Sequence, residues 1–94
     1  MTPSWIAEVV VMPKQGVNDP EGEAILGGLH DLGYHSVTRV RAGKQFQLEV
    51  AAPSEEEARA SVDSLSDRLL ANPVIETYEI ESLRPSSSIR ENGR

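Results

Sequence analysis

The chain has 94 residues, 38% of them hydrophobic, with four aromatics (Trp5, Tyr34, Phe46 and Tyr78), which fits one small domain with a single core. Fifteen acidic residues against nine basic ones give a net charge of −6, the wrong sign for a phosphate backbone or an anionic membrane, so neither nucleic acid nor membrane is an expected partner. Cysteine is absent, which excludes disulfides, thiolate catalysis and cysteine-ligated metals, and the longest strongly apolar run, Val9 to Met12, is too short to span a bilayer or to form a signal-peptide core, so a cytoplasmic protein is expected.

From Trp5 to Met12 apolar side chains occupy both alternating faces, with Trp5, Ala7, Val9 and Val11 on one and Ile6, Val10 and Met12 on the other beside Glu8, the pattern of a strand buried on both sides. Pro13 to Gly16 breaks it, and Asn18-Asp19-Pro20 starts a helix, with Asp19 as N-cap and Pro20 at the first helical position. That helix should run from about Pro20 to Leu32 with Gly33 as its C-cap. Ile25, Leu29 and Leu32 form its stripe, and Gly22 and Gly28 beside that arc suit close approach to a sheet. Ser36 to Arg41 and Gln45 to Ala51 read as the strands of a hairpin joined by Ala42-Gly43-Lys44, the second strand turning Phe46, Leu48 and Val50 inward. Pro53 ends it, and Ser54 with Glu57 has capping-box spacing for a second helix. Its stripe is Ala58, Val62, Leu65 and Leu69, and it should stop near Asn72-Pro73, before a last strand from Val74 to Leu83.

The order strand, helix, strand, strand, helix, strand predicts an α+β fold, a ferredoxin-like βαββαβ two-layer sandwich with a four-stranded antiparallel sheet and both helices on one face. The other face would expose Ile6, Val10 and Met12, and a domain this small buries only roughly 60–65% of its unfolded surface. A homo-oligomer packed through that face is therefore expected. Residues 1–83 form the domain, and 84–94 make a polar C-terminal tail of a composition that does not fold alone.

No catalytic constellation stands out. His30 and His35 lack a second ligand at metal spacing, so no metal site is expected, and Glu55-Glu56-Glu57 points in several directions from a first helical turn whose dipole favours negative charge. Gly43-Lys44 lacks the rest of a phosphate loop. Lys14-Gln15-Gly16-Val17 places a cation and a glycine before a helix N-terminus that could hold a carboxylate or phosphate, although an ordinary strand-to-helix loop is the commoner reading. The serines at 54, 61, 64 and 66 belong to the cap or polar face of the second helix, with no nucleophile–base pair among them.

Three blocks carry a family resemblance: Gly16-Val17-Asn18-Asp19-Pro20-Glu21-Gly22-Glu23-Ala24-Ile25, then Leu32-Gly33-Tyr34 leading into Val37 to Lys44, then Leu70-Ala71-Asn72-Pro73-Val74-Ile75-Glu76-Thr77-Tyr78-Glu79-Ile80. In order and spacing, residues 5–83 resemble the small PurS subunit of phosphoribosylformylglycinamidine (FGAM) synthase. The resemblance implies a non-catalytic subunit of a glutamine- and ATP-dependent C–N ligase in purine biosynthesis. Such a subunit forms homodimers, with the choice between dimer and tetramer left open, and bridges a glutaminase subunit and a synthetase subunit so that ammonia passes between them. It implies no cofactor on this subunit, with ATP, Mg and glutamine used by the partners. It also places partner contacts on Lys14, Gly16, Asp19 and Pro20, on Arg41, Gly43 and Lys44, and on Asn72 and Pro73. Loops on a rigid scaffold are where function usually sits, and Lys14, Arg41 and Lys44 are half of the basic residues before Arg84. The alternative is a ferredoxin-like regulatory module binding a small molecule near Gly16 or Gly43.

Overall fold

A computed structural model describes residues 2–86. Strand β1 (Ser4–Pro13) leads to helix α1 (Pro20–Asp31), strand β2 (Lys44–Ala51), helix α2 (Glu55–Leu65), a single π-helical turn (Ser66–Leu70) and strand β3 (Glu76–Pro85). The sheet is antiparallel in the order β2-β1-β3, so the most apolar strand takes the centre.

Register builds the core. Ala7 pairs with Leu48 and Leu83, and Val9 with Phe46 and Ile80, all on the face under α2. A bulge between Glu8 and Val9 lets β3 carry one extra residue there, which returns Leu83 to the face of Tyr78 and Ile80 despite its odd spacing from them. Val9 and Val11 of β1 and Val62 of α2 are fully buried, each stabilising the fold by about 1.5–3 kcal/mol. The Tyr78 hydroxyl donates to the Asp63 carboxylate at 2.6 Å and fastens β3 to α2.

Both helix starts form as read. Asp19 Oδ1 accepts from the Gly22 amide at 3.1 Å, and Ser54 Oγ accepts from the Glu57 amide at 3.2 Å. At the end of α1, Leu32 is the C-cap and Gly33 follows it at φ +98°, while the Gly33 and Tyr34 amides donate back to His30 and Leu29, a Schellman closure whose C-cap lies one residue before the expected one.

Four expectations fail. Ser36 to Arg41 forms no strand and no hairpin with β2, so the described sheet has three strands rather than the four of a ferredoxin-like sandwich. The physical reason is the position of α1. It lies off the sheet, only α2 covers the core face, and the segment leaving α1 bonds back to it, with His30 Nε2–H donating to the Val37 carbonyl at 2.8 Å. A Cβ at Gly28 would consequently stand in open space, while Gly22 is buried against the Val40 carbonyl and Asp19 rather than the sheet. In α2 the π turn widens the helix after Leu65, which brings Ser66 and Leu70 round to the core and leaves Leu69 81% exposed. The last strand starts two residues late because Asn72 to Ile75 make a turn, and it runs on to Pro85; residues 87–94 of the expected tail lie outside the described residues.

The radius of gyration, 17.1 Å, exceeds the roughly 12 Å of a compact chain of this length. Of the face opposite α2, Ile6 is already buried, and Val10 and Met12 are half-buried.

Candidate functional site

The residues expected at partner contacts lie on three segments, and hydrogen bonds fasten these segments together at one end of the sheet. The first follows Pro13, where Gly16 adopts φ +81° and lets the Val17 amide turn back to the Lys14 carbonyl at 3.2 Å. The Lys14 amide donates to the Ile75 carbonyl at 2.8 Å, which joins this loop to the turn before β3. In that turn Asn72 Oδ1 accepts from Val74 at 3.1 Å, the Asn72 carbonyl accepts from Ile75 and Glu76, and Pro73 sits exposed at the tip.

Asp19 joins the first segment to the second. Its Oδ1 caps α1 ahead of Pro20, and its Oδ2 accepts from the Ala42 amide at 2.9 Å. The Ala42 amide, followed by the Gly22 amide, holds this carboxyl below its ordinary value. Arg41 donates to the Pro13 carbonyl, and Arg39 donates to Gln15 Oε1 at 2.9 Å, so both arginines lie back across the first loop. Gly43 lies against Met12 and the Val11 carbonyl, where a Cβ has no room. Lys44 Nζ lies 3.8 Å from Glu76 Oε2 and closes the ring to the third segment.

Lys14, Gly16, Asp19, Pro20, Arg41, Gly43, Lys44, Asn72 and Pro73 thus belong to one mutually tethered surface, although they come from distant parts of the chain. Sequence reasoning left out Gln15, Arg39 and Gly22 from it. Arg39 was open to detection, because it lies two residues before Arg41 and an extended chain turns such residues to one side.

Residues 6–84 match the PurS family model, described as phosphoribosylformylglycinamidine (FGAM) synthase. The chain belongs to the PurS family. The PurS subunit of phosphoribosylformylglycinamidine synthase from Archaeoglobus fulgidus is 45% identical over 75 residues, 80% of this chain and 94% of the relative. The structure of Thermus thermophilus PurS superposes with a TM-score of 0.79 at 38% identity, covering 87% of this chain and 96% of that one. A chain of the structure of PurLQS from Thermotoga maritima matches with a TM-score of 0.76 at 35% identity over 88% and 98%. As a PurS chain, the protein is a small subunit of FGAM synthase in purine biosynthesis.

A second polar cluster, on the open face of the PurS sheet, went unnominated. Glu8 accepts from Gln45 Nε2 at 2.5 Å, from Gln47 Nε2 at 3.2 Å and from Arg84 Nη2 at 3.2 Å. The Gln47 amide first, then Arg84, holds the Glu8 carboxyl below its ordinary value. All four groups satisfy one another, so the cluster ties the three strands together through their side chains and accounts for a charge inside an apolar strand. Among the described residues no three histidine, aspartate or glutamate side chains gather as a metal site. No described helix is long and apolar enough to cross a membrane.

Proposed function

We propose that this PurS chain bridges the glutaminase and synthetase subunits of FGAM synthase and supports the passage of ammonia between them. The observation that carries this reading is the incompleteness of the chain alone. Helix α1 is amphipathic, yet Ile25 is 44% and the C-cap Leu32 75% exposed, and no sheet among the described residues covers them. A homodimer in which a second copy covers the α1 stripe removes that exposure, and the open sheet face around Val10 and Met12, with Ile6 beneath it, is a second surface for self-association. The tethered loops then serve as the partner contacts, on Lys14, Gly16, Asp19 and Pro20, on Arg41, Gly43 and Lys44, and on Asn72 and Pro73. The likeness to a chain of the Thermotoga maritima PurLQS structure supports such an assembly. In this reading the subunit works in the cytoplasm and binds no cofactor, and ATP, Mg and glutamine are used by the two larger subunits.

Sedimentation of the purified chain with purified glutaminase and synthetase subunits tests the bridge. A three-component species that needs this chain is expected. Equal co-sedimentation of the two larger subunits in its absence contradicts it.

A further inference from the structure

The basic residues of this acidic chain are unevenly placed. Lys14, Arg39 and Arg41 surround one cleft of about 170 Å³ beside the start of α1, and none of the three forms an ion pair among the described residues, whereas Lys44, Arg59 and Arg84 each do and Arg68 lies apart on the π turn. The cleft floor is apolar, made by Val17, Leu26 and Val40. Two carboxylates also line it. Asp19 has both oxygens engaged by backbone amides and its charge also acts on Arg41, and Glu23 has no described partner, so three cations outnumber two acids in the cleft. Each arginine spends one described donor on the loop, on Gln15 or on the Pro13 carbonyl, so the guanidinium planes are held in place with further N–H groups to offer.

We propose that this cleft is a clamp for an acidic side chain projecting from a partner subunit of the synthase, with Lys14, Arg39 and Arg41 as the receiving groups. Size favours a side chain over a free nucleotide, because small-molecule pockets usually run from about 300 Å³ upward. Charge complementarity favours a carboxylate, since a desolvated acid between a lysine and a fixed guanidinium makes charge-assisted hydrogen bonds while its stem rests on the valine and leucine floor. Position favours a partner over a second copy. Glu23 and Leu26 of α1 line the cleft, whereas Ile25, Leu29 and Leu32 centre roughly 120° away round the helix, so a copy covering the stripe leaves the clamp open.

The inference rests on the bridging role and is tested separately from it. Affinity of the full chain for the purified glutaminase and synthetase subunits is measured for wild type, for Lys14→Glu/Arg39→Glu, for Lys14→Arg/Arg39→Lys and for Arg59→Glu as a charge control on α2. The charge-reversed pair is expected to bind about tenfold or more weakly, the swapped pair to keep most of the affinity, and Arg59→Glu to match wild type. Reversal variants that bind within twofold of wild type overturn the clamp and leave the bridge standing, whereas a wild-type chain that does not bind removes the bridge itself. A fall in homo-oligomer mass on reversal, with partner affinity kept, assigns the carboxylate to a second copy and also overturns the proposal. Should the reversed pair fail to fold, the salt dependence of wild-type assembly decides: affinity must fall as salt rises, and a flat profile contradicts the clamp.

Discussion

Asp19 and Ala42 meet through one hydrogen bond, Oδ2 to amide at 2.9 Å, which makes a helix cap also the anchor of the segment that returns to the sheet. The same carboxylate caps α1 through Gly22, so replacement by asparagine removes one of two acceptors and sets an amide N–H against a backbone N–H. Because these amides hold the carboxyl below its ordinary 3.8, its contribution is present at neutral pH and is lost as pH falls through the lowered folded value. Thermal melts across the acid range should show wild type losing stability more steeply below about pH 4 than Asp19→Asn, from a higher neutral starting point. Parallel curves contradict the anchor.

Glycine replacement separates close approach from mere presence. Gly43→Ala and Gly22→Ala should both lower the melting temperature, because the new Cβ meets the carbonyls of Val11 and Val40 respectively. Gly27→Ala, with open space around it inside α1, should raise stability by about 0.5–1 kcal/mol through helix propensity. Denaturant melts of the three variants check the contrast.

The π turn makes an unusual set of core predictions. Val62→Ala should cost about 2 kcal/mol or more from lost burial and a cavity, while Leu69→Ala, on an 81% exposed side chain, should stay within about 0.5 kcal/mol of wild type. Ser66→Ala should be neutral or stabilising, since the Ser66 hydroxyl is buried without a partner among the described residues. A large loss at Leu69 with none at Val62 would restore the uninterrupted helical stripe.

Tyr78 titrates late because its hydroxyl donates a hydrogen bond to the Asp63 carboxylate, which pushes it up to about 12. Its neutral form is the stabilising one, so the contribution is complete below about pH 10 and disappears as pH rises through 12. Tyr78→Phe should cost under about 1 kcal/mol at neutral pH and should flatten the alkaline limb of a stability profile. An unchanged alkaline limb contradicts the tie between α2 and β3.

Much of this was legible in the residues. Apolar residues on both faces gave β1, alternation gave β2, Asp19-Pro20 and Ser54 gave both helix starts, and with no catalytic constellation in view the chain is read by its loops, whose nine expected contact residues lie on three tethered segments. The misses share one cause. Reading Ser36 to Arg41 as a strand, Gly28 as a sheet contact and Ile25 and Leu32 as core supposes that every apolar pattern finds its partner within one chain, and here α1 stands clear of the sheet. Leu69 was lost differently, since a π turn changes the helical period at one point and no local composition marks it. Glu8 was visible as a residue but not as a site, because only tertiary pairing brings Gln45, Gln47 and Arg84 to it.

The bridging role is tested most directly by product formation from purified glutaminase and synthetase subunits, with glutamine or with ammonia as the nitrogen source, in the presence and absence of this chain. Glutamine-dependent synthesis is expected to require the chain while ammonia-dependent synthesis proceeds without it. Glutamine-dependent synthesis that is equally fast without the chain contradicts the bridging role.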